Sequence, residues 1–410
     1  MKEKSTVVYF HRYPLKDEAI QAPLALPFID ELLKKNDVLY YSMQGKEPQK
    51  YKEVRFNIIP ISIDRTKTFD KWFKTLFYYF YLPIALFKLW RLKPDLIIAK
   101  EPLPFIPMLI AMLGFPTLID VSDWWWMALF GKTNIGKGIA KFLETWEIRS
   151  WNRKNVMVVA HTKTEAEMVH LKGLSMDKIE IVNACGPKLT YCPISSKKLK
   201  NRLFKRDWVV SVHGIIHPNK DYPQILDWWN KLVQIHPNWK LLMIGGAGLG
   251  INEVKDKINV LSLWDNVTMT GWLKTEKEVN EYLNVSDCLL VTRRNTSDSQ
   301  GIMPSSLYHN MMIGKPTLAT GLKGISEIIT HGKDGYLFKP DNYESFKSAL
   351  EYIHDNPKAA AIVARQGIKR AKYCFDPDRA AKGYTDIVNH MIYQKSNTIL
   401  QDHKINALKE

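Results

Sequence analysis

A chain of 410 residues is too long for one ordinary domain, and its 46% hydrophobic and 24% charged content excludes a disordered or fibrous protein. The four cysteines, Cys185, Cys192, Cys288 and Cys374, lack metal-ligand spacing, so reduced thiols in a cytoplasmic protein are expected. A net charge of +16 favours anionic partners such as phosphorylated substrates or anionic lipid, while no known nucleic-acid-binding module appears and nucleic acid is not expected.

The N-terminus is charged and then immediately strand-like, without the apolar run and cleavage site of a secretory signal. Short β-branched runs predict strands at Val7–Phe10, Val38–Tyr41, Phe56–Ile61, Leu96–Ala99, Thr117–Val121, Val156–Ala160 and Ile179–Val182. Helical patterns lie between them, as at Ala22–Lys35 and Lys137–Arg153. Between Lys67 and Lys93, lysines interleave with aromatics, and two readings stay open: a crossover helix packed on the sheet, or a helix lying in an anionic membrane surface. The stretch Pro102–Ile119 is interrupted by four prolines and Gly114, so it reads as a buried helix running into a strand and not as a membrane span.

Residues 191–206 change to Pro, Ser and clustered Lys, the composition of a linker. A second winding follows through WVVSVHG, WKLLMIGG, NVTMTG, CLLVTR, PTLAT and DGYLF, with helices between. The predicted class is α/β, with doubly wound domains at 1–190 and 207–376, a helix at 377–398 returning towards the first domain, and a polar tail at 399–410. In open sheets of this kind, ligands bind beyond the carboxyl ends of the strands.

Four pieces of the second half point to such a site. Lys220 follows the strand ending at Gly214, where an ammonium suits a diphosphate, although a lysine after a turn can equally be merely solvated. LLMIGGAG ends a strand in glycines without the full dinucleotide fingerprint. NVTMTG ends at Gly271. In SQGIMPSSLYHNMMIGKPTLAT, a Gly-containing loop opens a helix whose free N–H groups suit phosphate, and Gly314 closes it.

In the order and spacing of these pieces, together with GISEIITHGKDGYLF, the second half resembles the family 4 retaining glycosyltransferases; PDLIIAKEP, LIDVSD, VMVVAHT and IEIVNACG extend the likeness more loosely into the first half. The resemblance implies the GT-B fold, two Rossmann-like domains facing a central cleft. It implies hexosyl transfer from a nucleoside diphosphate sugar as co-substrate to an acceptor hydroxyl on a glycan or lipid-linked acceptor, with retention and with neither cofactor nor metal. A place in cell-surface polysaccharide or glycolipid synthesis, at the inner membrane face, fits that activity. By the same likeness Lys220 binds diphosphate, Gly214 lies beneath it, and Gly301, Ile302, Met303, Pro304 and Ser305 meet phosphate or sugar. Gly271, Trp272 and Lys274 flank the base, and Glu327 touches the donor.

The chain departs from the family in several places. Gly301 and His309 stand where relatives carry two glutamates, and a neutral imidazole cannot accept both ribose hydroxyls. His309 with Asp298 is the candidate replacement. Ile215 stands where an arginine usually follows the phosphate-site glycine, and Arg293 and Arg294 are the candidates to restore that charge or are merely solvated. The histidine before Asp123 is missing, yet Asp123 and Trp124 suit an acceptor hydroxyl and sugar ring, as His11 and Arg12 suit an acceptor phosphate. Trp124–Trp126 are equally readable as an interface patch. Asp123, Lys220 and Arg294 are the catalytic candidates. A non-catalytic scaffold and a sugar-nucleotide epimerase of the same fold are the rival functions.

Overall fold

In the computed structural model, residues 4–11, 22–43, 55–59, 68–100, 104–120, 126, 130, 133–184, 191–246, 248 and 250–407 are described. The chain divides into two units, 1–184 with 377–410, and 185–376.

Unit 1 is built on seven strands: β1 (Ser5–His11), β2 (Asn36–Met43), β3 (Arg55–Ile59), β4 (Leu96–Lys100), β5 (Thr117–Asp120), β6 (Val156–Ala160) and β7 (Ile179–Ile181). All pairings are parallel, in the order β3-β2-β1-β4-β5-β6-β7. The helices are α1 (Ala22–Leu33), α2 (Thr68–Leu92), α3 (Ile106–Met112), α4 (Asn134–Ser150) and α5 (Lys163–Leu171). β1 and β4 are fully apolar at their centres because a parallel sheet is covered on both faces. Each predicted strand is present within two residues of its expected ends, and Pro102–Ile119 does contain a helix followed by a strand.

Unit 2 begins with α6 (Lys197–Phe204) and continues through β8 (Trp208–His213), α7 (Tyr222–Ile235), β9 (Trp239–Ile244), α8 (Ile251–Val260) and β10 (Val267–Met269). Then come α9 (Glu276–Val285), β11 (Cys288–Val291), α10 (Ser305–Ile313), β12 (Thr317–Thr320), α11 (Lys323–Ser326), β13 (Tyr336–Phe338), α12 (Tyr343–Asp355) and α13 (Pro357–Cys374). The six strands are parallel in the order β10-β9-β8-β11-β12-β13. Alternation along each strand divides the core in two: Val210, Leu241, Met243 and Leu290 pack against α7, α8 and α12, while Val209, Leu242, Leu289 and Val291 pack against α9 and α10. The winding order of both sheets reverses beside their first strand, at β1/β4 and β8/β11, the point where open parallel sheets bind ligands.

Two segments differ from the sequence expectation. Residues 191–206 are held along unit 2: Cys192 N and Ile194 N donate to the Oδ1 atoms of Asn280 and Asn284, one turn apart on α9, and Lys200 pairs with Asp287. Composition suggested a linker here, whereas the segment belongs to unit 2 and buried asparagines accept from its backbone. The final helix, α14 (Pro377–Ala407), runs through most of the expected polar tail and packs on α1, with Phe28 and Tyr384 rings 4.3 Å apart.

Candidate functional site

At the carboxyl ends of β8, β9 and β10, three backbones meet without side chains between them. Gly214, Gly245 and Gly271 have φ of +97°, +130° and +71°, and Gly245 bridges Gly271. A Cβ on Gly245 would stand 2.4 Å from the Gly214 carbonyl oxygen, and one on Gly246 would stand 2.6 Å from Gly271 Cα. Gly246→Ala is therefore expected to destabilise unit 2 by about 1–3 kcal/mol. A urea denaturation midpoint equal to that of the parent protein would remove this steric account.

Lys220 rises beside this floor. A short turn, Pro218–Lys220, follows β8, and His217 Nδ1 accepts from Asn219 N to close it. The Lys220 ammonium donates to the His213 carbonyl at 2.7 Å, and Thr292 Oγ1 donates to the Lys220 carbonyl at 2.5 Å, fixing the residue at both ends. Its Nζ occupies the space just above Gly214, 2.9 Å from where a Cβ would lie. Burial, and then the positive charge of Arg293, pushes its pKa down to about 7. An ammonium so disfavoured gains most when an anion arrives.

The two arginines beyond β11 have different surroundings. Arg293 is half-buried and electrostatically coupled to Lys220. Arg294 is exposed, and its Nη2 lies 3.2 Å from Asp221 Oδ1, so its charge is already engaged. Gly301 is buried and Ile302 and Met303 partly so. Pro304 caps α10, whose first turn contains Ser305 and carries neither a side-chain cap nor an acid. Its leading amides thus keep the geometry of an anion site. Asp298 lies in the turn Ser297–Ser299, Glu327 ends α11, and the Trp272 ring is exposed beside Gly271.

His309 sits on the buried side of α10. Its ring stacks on Tyr191 at 3.9 Å and its Nδ1 lies 3.2 Å from His213 Nε2. Burial, then the Lys220 charge, pushes its pKa down to about 3, so the imidazole is neutral. His213 and Tyr191, absent from the sequence reading, therefore fix the orientation of His309. Nothing in the local pattern links positions 191, 213 and 309.

In unit 1, His11 ends β1 with a buried ring whose Nδ1 is 2.8 Å from the Tyr40 hydroxyl. Arg12, Asp123 and Trp124 lie outside the described residues. The carboxyl ends of β4, β5 and β6 instead reveal a charged cluster that the sequence reading missed. Lys100 Nζ lies 2.6 Å from Asp120 Oδ2, and His161 Nε2 lies 3.1 Å from Asp120 Oδ1. His161 Nδ1 faces the Val182 carbonyl at 2.9 Å. Both ring nitrogens face acceptors, so the ring carries two protons and is an imidazolium. Although burial alone would raise it, the Asp120 carboxyl is held well below the usual carboxylate range by Lys100 and His161. Burial would lower the His161 pKa, but Asp120 raises it above its ordinary value. Nearby, burial pushes Glu165 up to about 7, and its carboxylate accepts His161 N at 2.6 Å.

Comparison with known proteins is consistent with this geometry. Residues 194–370 match the family model for glycosyl transferases group 1. A glycosyltransferase of Haemophilus influenzae, itself uncharacterised, is 24% identical over 201 residues, 48% of this chain and 52% of that protein, so the chain spans about half the length of this curated relative. Among solved structures, HepE of Anabaena in complex with UDP-glucose superposes with a TM-score of 0.71 at 14% identity, covering 94% of this chain and 99% of that one. A sucrose-phosphate synthase of Thermosynechococcus elongatus gives 0.73 at 13%, covering 95% and 100%. At these identities the superpositions establish the fold: the chain has the GT-B architecture of two Rossmann-like units, and residues 194–370 of the second are similar to the glycosyl transferases group 1 family.

Proposed function

We propose that the protein is a retaining glycosyltransferase of hexosyl type that moves a sugar from a nucleoside diphosphate sugar to an acceptor hydroxyl. The observation that carries this reading is the Lys220 ammonium, held over a bare glycine floor and depressed in pKa, in a domain similar to the group 1 family. As the glycosidic bond to the donor breaks, negative charge develops on the departing diphosphate. Lys220, Arg293 and the free amides opening α10 neutralise it, which lowers the barrier without a metal ion or cofactor. Trp272, Asp298 and Glu327 surround the donor at the same strand ends. Asp123, Trp124, His11 and Arg12 are assigned to the acceptor, a glycan or lipid-linked hydroxyl at the cytoplasmic face. That HepE was solved with UDP-glucose makes a uridine nucleotide the first donor to test.

A thermal-shift screen with uridine, guanosine and adenosine diphosphate glucose tests the reading. A donor at a hundred times its dissociation constant should stabilise the fold by about 2.7 kcal/mol. If no nucleotide sugar shifts the transition and none is consumed in the presence of any acceptor glycan, the site is not a donor site.

A further inference from the structure

The outer helices of unit 1 carry apolar surface that its core leaves unused. α2, α3 and α4 lie on one face of the first sheet. Leu82 and Leu89 of α2 and Ile110 of α3 share a cluster with Phe10 and Ile97, while Ala111 of α3 and Ile148 of α4 share the next with Ile119 and Val158. On the opposite side of α4, Ile135, Ile139, Phe142 and Trp146 recur at helical spacing within one narrow arc. All four are exposed, Ile135 by 79% and Phe142 by 70%. Met112 and Leu113 at the end of α3 are exposed as well, and α2 adds Ile84, Phe87 and Trp90, the last exposed by 61%.

Among the described side chains of these three helices, the exposed charge has one sign. The two acids of α4 turn inward: Glu144 pairs with Lys172 at 2.8 Å, and Glu147 accepts from Trp126 Nε1 at 2.7 Å and from Phe105 N at 2.9 Å. Lys137, Lys141 and Arg149 remain on its exposed surface. On α2, Lys88 and Arg91 are exposed, and the sequence from Lys71 to Pro94 contains no acid. An apolar stripe that, among the described residues, has Lys88, Arg91 and Arg149 beside it is complementary to an anionic bilayer, with aromatic rings among the headgroups and ammonium and guanidinium groups at the lipid phosphates. Self-association through a twofold axis would set the same cations against one another. Among the described residues no helix is long and apolar enough to cross a membrane.

We infer that this face of unit 1 docks on the surface of an anionic bilayer. The inference does not depend on the donor site in unit 2. Sedimentation of the full chain with vesicles tests it, using equal parts phosphatidylglycerol and phosphatidylcholine against phosphatidylcholine alone. The chain should pellet with the anionic vesicles and stay in solution with the neutral ones. Phe87→Glu combined with Phe142→Glu should reduce the bound fraction by roughly tenfold or more, as should Lys88→Glu with Arg91→Glu. These side chains are exposed, so an unchanged circular dichroism spectrum and melting point establish that the variants fold. Equal pelleting with neutral vesicles, no pelleting with anionic ones, or a Phe87/Phe142 variant that binds like the parent overturns the inference. Concentration-dependent self-association that the same substitutions abolish, without vesicle binding, also overturns it and assigns the stripe to contact between copies.

Discussion

Replacing Lys220 with methionine is expected to lower donor turnover by about 100-fold or more, because one preorganised charge is removed from where the diphosphate gains charge. The substitution keeps the stem and removes the donor to the His213 carbonyl, so the fold should persist. The pH dependence follows from the depressed pKa. In the empty protein the ammonium loses its proton near pH 7. A bound diphosphate favours the charged form, so binding above that pH must take up a proton, and affinity should fall by up to about tenfold per pH unit as pH rises beyond 7. Calorimetry at pH 8 in two buffers of different ionisation enthalpy reads that uptake directly. Identical proton uptake by the parent and by Lys220→Met would show that another group is responsible.

The second large effect is expected in unit 1. Asp120 is fully buried between Lys100 and His161, so Asp120→Asn leaves two cations facing a neutral amide. Breaking such a buried arrangement costs about 3–5 kcal/mol. Adding Lys100→Met removes one of the stranded charges and should restore part of the loss. Chemical denaturation of the single and double variants measures both, and a double variant weaker than the sum of its parts would argue against an electrostatic origin.

The same cluster sets a pH profile for stability. His161 has a folded pKa above its ordinary value near 6.5, so its contribution is complete below that pH and is lost as pH rises through the folded value. Asp120, held low, contributes above the ordinary carboxylate pKa near 4 and fails only as pH falls through its depressed value. Glu147 and Glu165, raised to about 7 by burial, become progressively unfavourable as pH climbs from their ordinary 4.5. All but Asp120 act in one direction across the neutral range. The melting temperature of unit 1 should therefore decline from pH 5 to pH 8.

Much of this architecture was legible because parallel strands buried on both faces must be apolar and short, and each apolar run is closed by a polar residue, Gly or Pro. The helix α10 was legible through Pro304 before it and Gly314 after it, which has φ of +73°. What could not be read is lateral proximity. Lys100, Asp120 and His161 are separated by 20 and 41 residues, and only the strand order places them together. That each closes or follows a strand of one parallel sheet was the available signal. Arg294 looked equivalent to Arg293 in sequence, yet Asp221, 73 residues earlier, engages it. Residues 191–206 read as a linker because the asparagines that bind this segment lie on a helix about 90 residues later.

The meeting of Gly214, Gly245, Gly246 and Gly271 has an evolutionary consequence. A surface made only of peptide groups offers no side chain to exchange, and at Gly245 and Gly246 the neighbouring backbones leave no room for a new one. The binding of an anion there is tuned by side chains at the edge of this floor, Lys220 first among them. Under the function proposed above, preference for one sugar or base over another would be set at the rim, at positions such as Trp272 and Asp298, and not at the floor.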